Sequence, residues 1–292
     1  MLLLSLHVLA GRPQSLRGRR PLSLAIRTGF RIEPYFEFAK KAFAREATYR
    51  WEVFTAVGSL VLRVYLMRMV WLALYAQNVA PQGIALHQML TYTVVALLMS
   101  LILEIDGTRI IRDRLRDGSI ATDLMKPISP ALFFFSDGVG QTALHALLIL
   151  PSLGFALLMV HIDVPSPLTA AVFLLSFAIG YVVNFFLNFC MNCVAFWTME
   201  TFAIQLIVRW CSDLLSGQVI PLLFFPGILE RIVLALPFAA IYSTPLLIYI
   251  GRITPAEYAG ALLSQVAWLV VFAALGTIIW RAAQRRLVVQ GG

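Results

Sequence analysis

The chain has 292 residues, 60% hydrophobic and 13% charged, against about half and about a quarter in ordinary soluble domains. Its apolar residues arrive in runs of about twenty, the length that crosses roughly 30 Å of hydrocarbon, which excludes a soluble globular protein. The net charge of +8 does not indicate a nucleic-acid binder, because the basic residues sit in a few clusters between apolar runs rather than along one surface.

Residues 1–32 open with MLLLSLHVLAG, an apolar stretch with no basic segment before it and with Arg12, Arg17, Arg19 and Arg20 behind it. That order does not fit a signal peptide, so this part reads as a basic leader without fixed structure, and residues 33–292 as one transmembrane domain. From Glu33 to Trp51, Phe36, Ala39, Phe43 and Ala47 fall at helical spacing, while Lys40, Lys41, Arg45 and Glu46 occupy the other faces. The pattern predicts an amphipathic helix lying in the membrane interface, its basic side chains near anionic headgroups.

Six membrane spans are then expected, at about 54–76, 88–105, 138–160, 168–197, 202–224 and 259–280. The loop after the second carries Arg109, Arg112, Arg114, Arg116 and Lys126, and the tail carries Arg281, Arg285 and Arg286, whereas NVAPQGIALHQ and HIDVPSP hold no Lys or Arg. The positive-inside bias puts both termini in the cytoplasm. The loop DGTRIIRDRLRDGSIATDLMKPISP is longer than a connection needs. It reads as two short surface helices, separated by Gly118 as a stop and Ser119 as a cap and closed by Lys126 and Pro127. Ile120 and Leu124 give the second helix a small apolar face suited to docking a partner.

Charged groups at membrane depth usually face protein or water. Arg63 and Arg68 fall in span one, Glu104 and Asp106 at the end of span two, Asp137 before span three, and Arg209 and Asp213 one helical turn apart in span five. That spacing lets the last two pair on one face. Asn184, Asn188 and Asn192 make a polar stripe along span four, suited to interhelical hydrogen bonds or to contact with a substrate. His145 has no second ligand at metal spacing, and the lone pair Cys190 and Cys193 reads as packing; no metal or resident cofactor is expected. After span five, Pro221, Pro226, Pro237 and Pro245 divide apolar runs too short to cross, which predicts a re-entrant helical hairpin at the outer side.

The amphipathic helix, the arginine-rich loop ending in LMKPISP, the SGQVIPLLFFP stretch and the terminal RRLVVQGG together resemble the permease subunits of type-2, exporter-like ABC transporters. Within these the chain is most similar to the short permeases that work in pairs, some of them viologen-type exporters of a bacterial inner membrane. The resemblance implies two permeases, alike or paralogous, and two separate ATPase subunits that bind ATP and Mg. It also implies that the loop between spans two and three docks on the ATPase, through Arg109, Arg112, Arg116, Gly118, Ser119, Asp123 and Lys126. A substrate path along spans one, two and five would pass Arg63, Arg68, Glu104, Asp213 and Gln218. The cargo would be a small amphipathic or cationic compound moved outward.

The chain itself has no G-x-x-x-x-G-K-[S/T] loop, so it is not an enzyme on this reading. Leu215-Ser216-Gly217-Gln218 resembles the signature of ABC ATPases but follows an apolar span on the expected outer side. Two rivals are a channel or ion-coupled carrier, which usually shows broken segments in both halves, and a membrane enzyme, for which no convergent catalytic side chains are visible.

Overall fold

The computed structural model describes residues 33–48, 50–77, 83–104, 106–125, 128–198 and 201–287. The expected leader, Lys126 with Pro127, and the last five residues of the tail lie outside these. Helices account for nearly all of the described chain: α1 Glu33–Glu46, α2 Arg50–Ala76, α3 Leu86–Leu103, α4 Ile110–Arg116, α5 Ile120–Leu124, α6 Pro130–Met159 and α7 Pro167–Cys193. They continue with α8 Ala195–Thr198, α9 Phe202–Leu215, α10 Gly227–Ala235, α11 Pro237–Ile241, α12 Ser243–Tyr249 and α13 Tyr258–Leu287.

Five of them are long and apolar enough to cross a membrane, over Thr55–Ala76, Leu86–Leu103, Pro130–Met159, Pro167–Thr198 and Tyr258–Arg286. The segment expected as a continuous fifth span, 202–224, is instead the 14-residue α9 followed by a turn and a short 3-10 segment, Leu222–Phe224. At a rise of about 1.5 Å per residue α9 is roughly 21 Å long, too short to cross. The break has local causes. Gly217 sits at φ 84, in the left-handed region where glycine is favoured, and its carbonyl accepts the Tyr92 hydroxyl at 2.7 Å instead of continuing the helix. Pro221 then removes a backbone donor.

α10, α11 and α12 fill the space that this break opens. Pro226 precedes α10, Pro237 starts α11 and Pro245 stands in the first turn of α12, positions at which a missing N–H disrupts no helical bond. α11 and α12 are enclosed by protein, with Leu246 and Ile248 fully buried, whereas α10 leaves Ile228 and Ile232 exposed. Buried Gln265 of α13 donates to the Ala240 carbonyl at 2.7 Å and to that of Ser176 at 3.1 Å. Tyr92, Met99, Val183, Cys190, Ile241, Leu246 and Phe272 share one core, which ties α3, α7, α11, α12 and α13 together. Cys190 is a buried free thiol in this core, and Cys193 is one in the aromatic core described next.

A second core, rich in aromatic rings, lies where α3 ends and α6 begins. Ile111 of α4 and Ile120 of α5 pack there with Phe133, Phe134, Phe189, Phe196 and Trp280. Ile120 is 1% exposed, so this part of the apolar face expected to receive a partner is consumed inside the chain.

α1 does not stand alone at an interface but packs along the first turns of α6. The two backbones touch at Gly140, where a β-carbon would come within 2.1 Å of the Ala39 carbonyl oxygen. Phe38 meets Phe133 edge to face at 4.7 Å, and the Arg45 guanidinium grips Asp137 with bonds of 2.9 and 3.4 Å. That bond to the carboxylate raises the Arg45 pKa above its ordinary value. Lys40 and Lys41 stay exposed on the opposite face.

Candidate functional site

A cavity of about 500 Å³ opens beside the α3 to α6 loop, walled by the ends of α3 and α7 and by one face of α9. Its lining mixes apolar surface, such as Leu187, Leu206 and Tyr242, with carboxylates and arginines. Glu104, just past α3, is the electrostatic centre. Its carboxylate lies 3.7 Å from Arg63 of α2 and 3.7 Å from Arg209 of α9, and accepts a 3.0 Å bond from the Gln218 side chain. The helical-turn pairing expected between Arg209 and Asp213 is thus replaced by a bridge from α9 to α3. Asp213 lines the same cavity and makes no direct ion pair among the described residues.

A smaller cavity of about 200 Å³ between α2, α3 and α6 adjoins the first, sharing Glu104 and His145 as lining residues. The His145 Nδ1 faces the Gln141 carbonyl at 3.2 Å. Of the residues expected on a substrate path, Arg63, Glu104, Asp213 and Gln218 therefore converge, whereas Arg68 lines neither cavity. Arg209 and His145 belong to this group although the sequence marked them as structural. Only the helix packing brings them to Glu104.

On the loop side a chain of hydrogen bonds runs along the cavity wall, with Asp106, Arg112 and Gln205 all lining it. Asn192, fully buried in α7, donates to Asp106 at 2.9 Å and to the Thr108 hydroxyl at 2.8 Å. Its carbonyl accepts a 2.5 Å bond from Gln205 of α9, and Gln205 in turn accepts from Arg112 of α4 at 3.3 Å. Asn184 completes the stripe by donating to the Leu103 carbonyl at 2.8 Å. The asparagine stripe thus ties α7 to the α3 end and to the loop.

The same geometry sorts the residues expected to dock a partner. Arg112 is 9% exposed and turned inward to Gln205, so its guanidinium is engaged within the chain. Asp123 is paired with Arg114, which also lies 5.0 Å from the centre of the Phe133 ring and pins α5 to α4. Arg116, Gly118 and Ser119 form an exposed edge with Met125, which is 80% exposed; Arg109 is exposed at the cavity wall. Gly118 makes the expected stop, at φ 77. Ser119 does not cap α5 with its side chain: its amide donates to Asp117 at 2.8 Å, and its hydroxyl and amide hold the Asp117 carboxyl below its ordinary pKa. Lys126 lies outside the described residues.

A family model for ABC-2 family transporter proteins matches residues 60–291, from within α2 to the tail. The chain belongs to this family. As an ABC-2 permease it is a multi-pass membrane subunit of a transporter, of a kind that works in general with an ABC ATPase. The match takes in the lining of both cavities except Glu46, Ala56 and Ser59, the loop helices and the broken segment after α9, but not α1. Comparisons with curated proteins and with solved structures gave no match.

Proposed function

We propose that this ABC-2 permease is the membrane half of an ATP-driven exporter that moves a small amphipathic compound outward across a bacterial inner membrane. Two copies, or one copy and a paralogue, pair along α2, α3 and α9, and two ATPase subunits supply ATP and Mg sites from the cytoplasm. Six crossings result when α9 and the segment after it are taken together as the fifth. Both termini then face the cytoplasm, α1 lies beside the loop helices, and α10 to α12 form a re-entrant element toward the outer side, which fits the burial of α11 and α12 in protein.

The observation that carries this reading is the bonded chain from Arg112 through Gln205 and Asn192 to Asp106. A push on α4 and α5 is passed along these hydrogen bonds to α7, to α9 and to the cavity, whose wall Arg112, Gln205 and Asp106 share. The exposed edge of Arg116, Gly118, Ser119 and Met125 is the part left for the ATPase, and at such an edge shape contributes more than exposed ion pairs do.

Purification of the complex tests this. A chain carrying Arg116→Glu with Met125→Glu is expected to retain about one tenth of the ATPase held by the unaltered chain, a change of about 1.4 kcal/mol. Full retention would move the docking surface elsewhere. Absence of any ATPase from the purified complex, with flux driven by an ion gradient, would favour a carrier instead.

A further inference from the structure

We propose that the crevice between α2, α3 and α6 is the entry site for the cargo and selects amphiphiles with a zwitterionic head, an anionic group next to an ammonium. This rests on the transport reading above and names its substrate class. The charges around the junction of the two cavities cancel: Arg63 and Arg209 stand against Glu104 and Asp213. Asp106 and Arg112 are tied into the bonded chain toward the loop. Glu46 and Arg109, elsewhere on the wall, offset one another. A cavity so balanced gives no net attraction to a cation or to an anion alone.

The individual charges are nevertheless available. Glu104 is shared by two arginines at 3.7 Å each, well beyond the 2.7–2.9 Å at which charge-assisted bonds close. The Arg63 side chain is 53% exposed within the span of α2, where a loosely paired guanidinium is costly and calls for an anionic partner. Among the described residues Asp213 has no direct ion partner, and the His145 Nδ1 is directed at a carbonyl, which leaves Nε2 as an acceptor for an ammonium N–H. The crevice therefore offers a donor pole at Arg63 and an acceptor pole at Glu104 and His145, with Asp213 in the adjoining cavity. Leu62 and Leu66, 57% and 51% exposed beside Arg63, offer an apolar track for a tail.

Native mass spectrometry of the chain released from maltoside micelles tests the assignment, with no ATPase or nucleotide present, so that failure of ATP-driven export and failure of this site are read separately. Three probes are offered together at equal concentration: lauroyl lysophosphatidylethanolamine, lauroyl lysophosphatidic acid and dodecylammonium. The unaltered chain is expected to retain the zwitterion about tenfold over either other probe. Glu104→Gln should shift retention toward the lysophosphatidic acid and Arg63→Gln toward dodecylammonium, a crossover that misfolding does not produce. Best retention of dodecylammonium by the unaltered chain, or equal loss of all three probes in both variants, would overturn the proposal. So would loss of the dimer mass with unchanged head-group preference, which would assign the crevice to the contact between copies.

Discussion

An Asn192→Leu chain is expected to lose roughly 2–4 kcal/mol of stability and to stop transporting while still holding its ATPase. In a bilayer a single interhelical hydrogen bond averages under about 1 kcal/mol, because the unfolded reference also finds partners. The effect is larger here because one amide serves several groups at once. Its loss leaves Asp106, Thr108 and Gln205 each short of a partner in a site where Asn192 itself is fully buried. Melting followed by fluorescence-detected size exclusion reads the stability, and ATPase turnover with and without cargo reads the coupling. Unchanged melting together with cargo-stimulated turnover would mean that force reaches the cavity by another route.

The second large effect is expected at Gly140. An alanine there would place its β-carbon 2.1 Å from the Ala39 carbonyl oxygen and 2.8 Å from its carbon, and backbone cannot yield as a flexible side chain does. Forcing α1 away from α6 costs about 1–3 kcal/mol as overpacking. If Arg45 then leaves Asp137, whose side chain is 6% exposed, the uncompensated buried carboxylate costs about 3–5 kcal/mol more. Release of α1 is therefore the expected outcome. In a Cys211→Ser background, Ala42→Cys, at a position 0% exposed in α1, reports it by reaction with a maleimide. Labelling should rise several-fold on adding Gly140→Ala and stay low on adding Gly154→Ala, whose new β-carbon meets nothing within 4 Å. Equal labelling in the two would sink the docking of α1 on α6.

Much of the architecture is legible along the chain because hydropathy is a sum over neighbours. The runs that became α2, α3, α7 and α13 need no partner to be recognised, and neither does the arginine-rich loop with its Gly118 stop. The limit appears at α9. The run 202–224 is apolar throughout, so composition could not separate one crossing helix from a helix that stops at Gly217. The stop depends on Tyr92, which is 125 residues away in the chain. The third crossing helix likewise begins at Pro130 rather than near residue 138, since Pro130 at its first position starts a helix whose early turns are covered by α1.

For the candidate site, residue type marked the charges that line the two cavities and helical spacing marked the asparagine stripe, but neither gave the pairings. Arg209 and Asp213 share a face, yet Arg209 reaches Glu104 because α9 crosses beside the end of α3. Arg112 and Ile120 look like an exposed surface in a solvated loop, and both are turned inward by the aromatic core and by Gln205.

Local chemistry in the chain was enough to establish a helical membrane protein and the positions of most of the helices long and apolar enough to cross. Which charge meets which, which loop residues remain free for a partner, and where a helix breaks were decided by tertiary packing. These depend on how each helix is rotated and how closely it approaches its neighbour, distances of a few ångströms that close only once separate segments are in contact.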